Sequence, residues 1–223
     1  MYIIKIKNCV NFIIFINFKM DFLSEKVESY KNKIEDFNND RTIKLYKDFT
    51  GEDFEPLQKK FDINSFLGKW EQVVTSRSTG VLGTGISLTN VSAIYGLTEE
   101  GNVSVFNSAY DQELKFRSIF GESRARSENI PCCRTVAFDR IPVNEGNYWI
   151  TYINDDFSVI VVTAPVILLG VNIVSNFGFY ALTKDRDSFW SNKEEVNKLY
   201  SYLEKKGFTT YINEPIVSGT SFI

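Results

Sequence analysis

The side chains of this sequence that could do chemistry are few, and their types exclude several classes of activity. The 223 residues contain no histidine, which excludes Ser-His-Asp and Cys-His nucleophile pairs, histidine-ligated haem and most catalytic zinc sites. The cysteines are Cys9, Cys132 and Cys133, of which the last two are the candidates for a thiol nucleophile. Because their number is odd and two are adjacent, no disulfide framework is expected. We expect Cys132 and Cys133 to be small, partly buried apolar residues, with a thiol-based activity as the alternative.

Two groups of charged residues could bind ions. Arg124, Arg126 and Arg134 flank two predicted strands and could contact a carboxylate or phosphate group, although the expected arrangement is a solvated rim. Asp155 and Asp156 suggest a cation site, but an acidic turn is the ordinary role of such a pair. We predict no metal site and no cofactor. The net charge of −3 and the pI of about 5.2 offer no basic surface for nucleic acid.

Residues 61–223 are predicted to form one all-β domain, because their apolar residues alternate with a period of two. Eight segments rich in Val, Ile, Tyr and Phe are separated by turn sequences. Eight short strands joined by tight turns favour an eight-stranded up-and-down antiparallel β-barrel, whose closure removes exposed edges. The predicted strands are Lys69–Thr75, Thr89–Leu97, Val103–Tyr110, Leu114–Arg124, Arg134–Asp139, Tyr148–Asn154, Ser158–Thr163 and Phe179–Lys184.

Two loops and a helix accompany these strands. The link from Ser76 to Leu88 contains three glycines and is long for a hairpin, so it is predicted to be a flexible lid. The apolar segment Ile167–Ser175 is expected to form an extended hairpin. After the last strand, apolar residues at helical spacing follow a cap at Ser191 or Asn192. This pattern predicts a C-terminal α-helix packed on the outside of the barrel.

Residues 1–60 are predicted to form an N-terminal helical extension. Residues 1–19 are apolar but interrupted by Lys and Asn, and they lack a small-residue cleavage site, which leaves a targeting role open. Residues 20–38 have the period of an amphipathic helix, and a charged connector follows. The extension could contact a membrane or a protein partner. We expect a secreted or membrane-associated protein if residues 1–19 act as a signal or anchor, and otherwise a soluble intracellular or particle-associated one.

Residues 61–71 resemble the opening motif of the lipocalins, a family of the calycin superfamily, in which a short helical turn leads into Gly-x-Trp. Gly68 and Trp70 match that motif, and the resemblance implies that Trp70 plugs the closed end of the barrel. Asp155 is similar in position to the family's acidic turn. Lys184 occupies the place of its last-strand arginine, or Arg186 reaches back, and either cation could stack on Trp70. The resemblance covers roughly residues 61–208 and is nearest to the bacterial outer-membrane branch.

An eight-stranded barrel leaves room for one small ligand, and alternate side chains face that space. We therefore predict a non-enzymatic protein that binds, transports or sequesters a small hydrophobic ligand, such as a fatty acid or lysolipid. The alternatives are a filled barrel core, and a structural or interaction protein using the N-terminal helix and residues 167–175 as contact surfaces. The sequence does not give the oligomeric state. Counting in steps of two from Trp70 predicts an interior formed by Gln72, Val74, Ala93, Tyr95, Val103, Val105, Asn107, Ile119, Gly121, Val136, Phe138, Tyr148, Ile150, Tyr152, Ile160 and Tyr180.

Overall fold

The structure is a computed structural model, which describes residues 44, 47, 54–76, 88–139, 146–164, 166–167, 174–175, 178–208 and 215–217. The chain divides into two compact units, residues 1–41 and 42–223, and every described residue belongs to the second. The predicted targeting segment, the amphipathic helix at 20–38 and almost all of the predicted lid lie outside the described residues. The domain boundary at residue 60 stays a prediction.

Eight antiparallel strands follow one another around a closed barrel. Within the described residues the strands are β1 (Gly68–Ser76), β2 (Thr89–Leu97), β3 (Val103–Tyr110), β4 (Phe116–Ala125), β5 (Cys133–Phe138), β6 (Gly146–Ile153), β7 (Val159–Thr163), β8 (Val166–Ile167), β9 (Val174–Ser175), β10 (Phe179–Thr183) and β11 (Pro215–Val217). Strands β1 to β7 are neighbours in chain order, β10 pairs with β7, and β10 also pairs with β1. The last pairing closes the barrel and confirms the predicted fold.

The remaining strands lie at the margins of this barrel. Strand β11 pairs with the end of β1, at Val74 to Ser76, beyond the part of β1 that pairs with β2. Strands β8 and β9 pair with each other as a short antiparallel hairpin, which is the predicted form of the Ile167–Ser175 segment. The residues between these two strands lie outside the described ranges.

The fourth strand begins two residues later than predicted, because a tight turn precedes it. The carboxylate of Asp111 accepts hydrogen bonds from the backbone N–H groups of Glu113 and Lys115, at 2.9 and 3.0 Å. Leu114 lies inside this turn with a φ of +57°, which is not a strand conformation. The side chain of Asp111 therefore ends β3 and delays β4 to Phe116.

Two β-bulges change which side chains face the barrel interior. The pairing of β1 with β10 shifts between Gln72 and Val74, and the pairing of β6 with β7 shifts between Ile150 and Tyr152. An extra residue in one strand moves every later side chain of that strand to the opposite face. The count in steps of two from Trp70 therefore fails beyond each bulge.

Four helices flank the barrel in the described part of the chain: α1 (Phe54–Lys60), α2 (Ile63–Phe66), α3 (Arg186–Ser191) and α4 (Lys193–Lys205). Helix α1 forms within the predicted connector. Its Pro56 is tolerated because it lies in the first turn, where a backbone N–H has no helical partner. The predicted C-terminal helix is α4, which begins after its cap at Asn192, whose side-chain oxygen accepts from the N–H groups of Glu194 and Glu195. The short helix α3 precedes it and was not predicted. Among the helices of the described residues, none has the length and apolarity to span a membrane.

Two apolar clusters form the core, one inside the barrel and one behind its wall. The inner cluster comprises Phe66, Trp70, Ala93, Tyr95, Val103, Val105, Ile130, Cys132, Cys133, Trp149, Ile150, Ile153, Phe157, Ile160, Val162 and Leu182. The outer cluster comprises Val73, Val74, Val159, Val161, Phe179, Ala181, Phe189, Leu199, Leu203 and Phe208. Since Leu199 and Leu203 come from α4, the outer cluster attaches this helix to the wall formed by β1, β7 and β10, as predicted.

The opposite wall of the barrel, β2 to β4, carries large apolar side chains on its outer surface. Ile94, Phe106 and Phe120 stand directly opposite one another across the three strands. Phe120 is 59% exposed and Ile94 is 46% exposed. The barrel is therefore asymmetric, with one wall buried on both faces and the other solvated on its outer face.

Candidate ligand-binding site

One end of the barrel is built by the residues around the Gly-x-Trp motif. Asp62 caps α2 by accepting hydrogen bonds from the N–H and hydroxyl of Ser65, at 2.8 and 2.6 Å. The chain then turns into β1 at Gly68, whose φ of +100° is a backbone conformation that only glycine adopts readily. This turn places Phe66 and Trp70, both fully buried, beneath the end of the barrel.

Trp70 is fixed by a hydrogen bond and by ring contacts. Its indole Nε1 donates to the carbonyl oxygen of Phe66 at 2.7 Å, and its ring centre lies 6.3 Å from that of Phe157. The Nζ atom of Lys184 lies 5.4 Å from the centre of the Trp70 ring, within reach of a cation–π interaction. Of the two cations that the sequence offered, Lys184 is the one that lies over Trp70.

Arg186 has a different role at the same end. Its guanidinium donates to the carbonyl oxygen of Gln72 at 3.2 Å and to the side-chain oxygen of Asn90 at 3.0 Å, and its backbone N–H donates to the carboxylate of Glu71. These bonds join the start of α3 to β1 and to the start of β2.

The acidic turn closes the same end between β6 and β7. The Asn154 side-chain oxygen accepts from the N–H groups of Ser158 and Val159, both at 2.9 Å, and its amide donates to Glu195 of α4. Asp155 pairs with Lys60 of α1 at 2.9 Å. Within the described residues, no group of three His, Cys, Asp or Glu side chains could hold a metal ion. We refer to this end, where α1, α2 and the acidic turn lie, as the covered end.

The barrel interior contains most of the predicted ligand-binding residues. Six are buried members of the inner cluster, and four more pack against it while remaining half-buried. Gln72 is also buried, whereas Asn107, Ile119 and Gly121 share the strand face of Val105. The six buried residues are Ala93, Tyr95, Val103, Val105, Ile150 and Ile160, and the four half-buried ones are Val136, Phe138, Tyr148 and Tyr180.

Val74 and Tyr152 do not face the interior, which corrects their assignment. Each follows a β-bulge, so its side chain lies on the outer face of the wall. Val74 belongs to the outer cluster, and the ring of Tyr152 lies 4.8 Å from that of Tyr202 in α4. The bulges instead bring Ile153 and Thr75 to the interior face. Ile153 belongs to the inner cluster, and Thr75 pairs with the interior residue Tyr180.

Polar groups are sparse inside the barrel. The hydroxyls of Tyr95 and Tyr148 are hydrogen-bonded at 2.5 Å, and burial raises the pKa of Tyr95 to about 12. Burial also raises the pKa of Tyr148 well above its ordinary value, so both phenols stay protonated at neutral pH. The side-chain oxygen of Asn107 is buried without a hydrogen-bond partner. Such an unsatisfied acceptor inside an apolar space is available to a donor on a ligand.

The three arginines near β4 and β5 differ in burial. Arg124 and Arg126 are exposed, as expected for a solvated rim. Arg134 is only 3% exposed and stands opposite Tyr148 in the β5–β6 ladder, on the same strand face as Val136. The assignment of Arg134 to the rim is therefore wrong. The alternation that placed Val136 and Phe138 inside the barrel also places residue 134 there.

The two cysteines at the start of β5 are core residues rather than partly buried ones. Cys132 and Cys133 are free thiols with no exposed surface. Burial raises the pKa of Cys132 to about 12 and raises that of Cys133 well above its ordinary value. Because the thiolate is the reactive form, neither sulfur is prepared to act as a nucleophile.

We expect both thiols to resist modification while the protein is folded. In a Cys9→Ser variant, which leaves these two thiols alone, a maleimide or aromatic disulfide reagent should react at least about a hundredfold more slowly than with the urea-unfolded protein, since burial suppresses both access and thiolate formation. The measurement is the labelling rate at pH 7.5. Rapid stoichiometric labelling of the folded variant would contradict this assignment and support a thiol-based activity.

Comparison with known proteins assigns part of the chain to a domain family. A family model described as the lipocalin-like domain matches residues 61–167. Apolipoprotein D from Bos taurus is 31% identical over 83 residues, which is 37% of this chain and 41% of that protein. Apolipoprotein D from Mus musculus is 26% identical over 95 residues, or 43% of this chain and 47% of that protein. The chain contains a lipocalin-like domain.

The fold of this protein is also that of solved structures. Lobster apocrustacyanin A1 superposes with a TM-score of 0.54 at 12% identity, covering 76% of this chain and 87% of the other. Apocrustacyanin C1 gives a TM-score of 0.55 with the same identity and coverage. The chain aligns with less than half the length of the two apolipoproteins. The resemblance to the lipocalins is thus confirmed, whereas its nearness to the bacterial outer-membrane branch stays a prediction.

Lipocalins generally bind small hydrophobic molecules and act as carriers without enzymatic activity. The shape of the interior and the polar groups described above are the features of the site that this structure adds to the family-level description.

Proposed function

We propose that this protein binds one acyl-chain ligand, such as a fatty acid or lysolipid, inside its barrel and carries or sequesters it. The observation that supports this most directly is the partial accessibility of interior side chains. Val136, Phe138, Tyr148 and Tyr180 pack against the inner cluster but remain half-buried. In a solid, close-packed core such residues would be fully buried. We infer that their remaining surface faces space within the barrel.

The chemistry of this space suits an acyl chain. Its walls are formed by aliphatic and aromatic side chains, and burying each methylene of a ligand contributes about 0.8 kcal/mol. The few polar groups, including the Asn107 side-chain oxygen, are too sparse for a sugar or a nucleotide, which require many hydrogen bonds. A molecule with a long apolar part and one polar group satisfies the interior best.

A direct binding measurement tests this proposal. The full-length protein, freed of lipid by extraction, is titrated with the neutral fluorescent probe N-phenyl-1-naphthylamine, and dodecanoate is then added as competitor. We expect saturable binding of about one probe per protein, displacement by dodecanoate, and a matching one-to-one complex in native mass spectrometry. Absence of binding by the probe and by every twelve-carbon competitor would refute the proposal.

A matched pair of variants locates the binding inside the barrel. Val136→Trp adds a large side chain to the interior face, whereas Ala137→Trp adds the same side chain to the outer face of the same strand. We expect the first to weaken probe binding by about tenfold or more, because it fills ligand space, and the second to leave it within about twofold. Equal effects of the two substitutions would argue for binding on the outer surface.

A further inference from the structure

Arg134 is a buried cation on the interior face of the barrel. Its Nε donates to the Ser123 hydroxyl at 3.0 Å, and its Nη2 donates to the Ser123 carbonyl oxygen at 2.9 Å. Its Nη1 donates to the Pro131 carbonyl oxygen at 3.3 Å. Ser123 is itself buried. The guanidinium is thus held against β4 by neutral oxygens, close to the covered end where β5 begins.

The positive charge of this guanidinium has no carboxylate partner among the described residues. The ion pairs there join other groups, and the nearby Glu122 pairs with the exposed Arg124. A guanidinium has five N–H groups, and the three bonds above use three of them. A buried charge is costly unless an opposite charge compensates it. The charge of the Arg134 guanidinium is therefore not compensated by the described residues, and two of its N–H donors are unused.

Further hydrogen-bonding groups stand beside Arg134. Tyr148 lies directly opposite it in the β5–β6 ladder, at the separation where side chains of neighbouring strands touch. The Tyr148 hydroxyl is hydrogen-bonded to that of Tyr95 at 2.5 Å, so a pair of phenols lies beside the guanidinium. A planar cation next to neutral O–H donors is the arrangement that carboxylate and phosphate oxygens prefer.

We propose that Arg134, with Tyr148 beside it, binds the anionic head group of an amphiphilic ligand, a carboxylate or a phosphate, inside the barrel near its covered end. The inference rests on the proposed function and specifies its ligand. The ligand enters head first and its acyl chain extends along the half-buried side chains Val136, Phe138 and Tyr180, towards the end opposite Trp70. The missing negative charge is supplied by the ligand rather than by the protein.

The orientation follows from where the other cations lie. Arg124 and Arg126 are exposed, so they remain solvated and gain little from an added anion. Arg134 has already lost its hydration, and a charge-assisted hydrogen bond there is stronger than one at the surface. A head group therefore gains more from the interior arginine than from a position on the rim.

The first test compares three ligands with the same twelve-carbon chain: dodecanoate, dodecyl phosphate and dodecanol. Each displaces N-phenyl-1-naphthylamine from the wild-type protein below its critical micelle concentration. We expect at least one anion to bind about tenfold or more tightly than the alcohol, and the tighter anion identifies the head group. Equal affinities for both anions and the alcohol would overturn this inference while leaving the proposed function intact. Failure of all three to bind would instead refute the proposed function.

The second test removes the charge. Arg134→Gln should abolish the preference for the anion and leave dodecanol and probe binding within about threefold, whereas the exposed Arg124→Gln should leave the preference unchanged. An Arg134→Gln protein that keeps the anion preference would overturn the inference. If that variant does not fold, Tyr148→Phe retains the guanidinium and removes one donor. It should lower the affinity for the preferred anion by about threefold to tenfold and lower that for dodecanol by less. An unchanged anion affinity, or an equal loss for both ligands, would contradict the proposal.

Discussion

Replacing Trp70 with alanine should lower the free energy of unfolding by about 3–5 kcal/mol, the range observed for removal of a large buried aromatic side chain. Trp70 has no exposed surface, and its indole N–H donates a hydrogen bond to the carbonyl oxygen of Phe66. Its loss would leave a void beneath the covered end and remove the ring under Lys184. The measurement is urea denaturation followed by far-ultraviolet circular dichroism, which does not depend on the fluorescence of the residue that is removed.

The matched control is Trp190→Ala. Trp190 lies in α3, is only half-buried and packs against the outer cluster, so part of its surface is already in contact with water. We expect this substitution to lower the free energy of unfolding by less than about 2 kcal/mol. A Trp70→Ala protein as stable as the Trp190→Ala protein would show that Trp70 does not close the barrel.

A second large effect is expected from adding one methyl group at Gly121. This residue pairs with Val105 and with Phe138. A Cβ atom there would lie 2.3 Å from the carbonyl oxygen of Ala137 and 2.6 Å from the Phe138 ring. Since a backbone oxygen cannot move without displacing β5, Gly121→Ala should destabilise the protein by about 1–3 kcal/mol. The midpoint of thermal unfolding is the measurement.

Gly96→Ala is the corresponding control within a strand. A Cβ atom at Gly96 would approach only the side-chain oxygen of Ser104, at 2.8 Å, and a serine side chain can rotate away. We expect a change in stability of no more than about 0.5 kcal/mol. Similar midpoints for the two variants would mean that β4 and β5 separate easily at this point, contrary to their close packing here.

Much of the fold was predictable from local patterns. The alternation of apolar residues and the turn sequences give all eight barrel strands, and their ends differ from the structure by two residues or fewer. The exceptions have local causes that composition does not reveal. The side chain of Asp111 forms a turn that delays β4, and Asp185 caps the additional short helix α3 ahead of the predicted C-terminal helix.

The interior was less predictable, for two physical reasons. A single extra residue at a bulge reverses the alternation, so Val74 and Tyr152 were assigned to the wrong face. Nothing in the residue types around either bulge marks its position. Arg134 was missed for the opposite reason, since the alternation did place it beside Val136, and only the general rule that arginines are exposed argued against it. At Arg134 the alternation along the strand therefore predicted the buried position better than the residue type did.

The unequal burial of the two barrel walls has a consequence for the motions of the native state. Strands β7 and β10 are covered by the inner cluster on one face and by the outer cluster with α4 on the other, so their backbone amides can exchange with solvent only when most of the molecule unfolds. No helix of the described residues covers the outer face of β2 to β4, where Phe116 and Phe120 are exposed. Smaller openings therefore free their amides. We therefore expect the amides of β2 to β4 to exchange faster than those of β7 and β10.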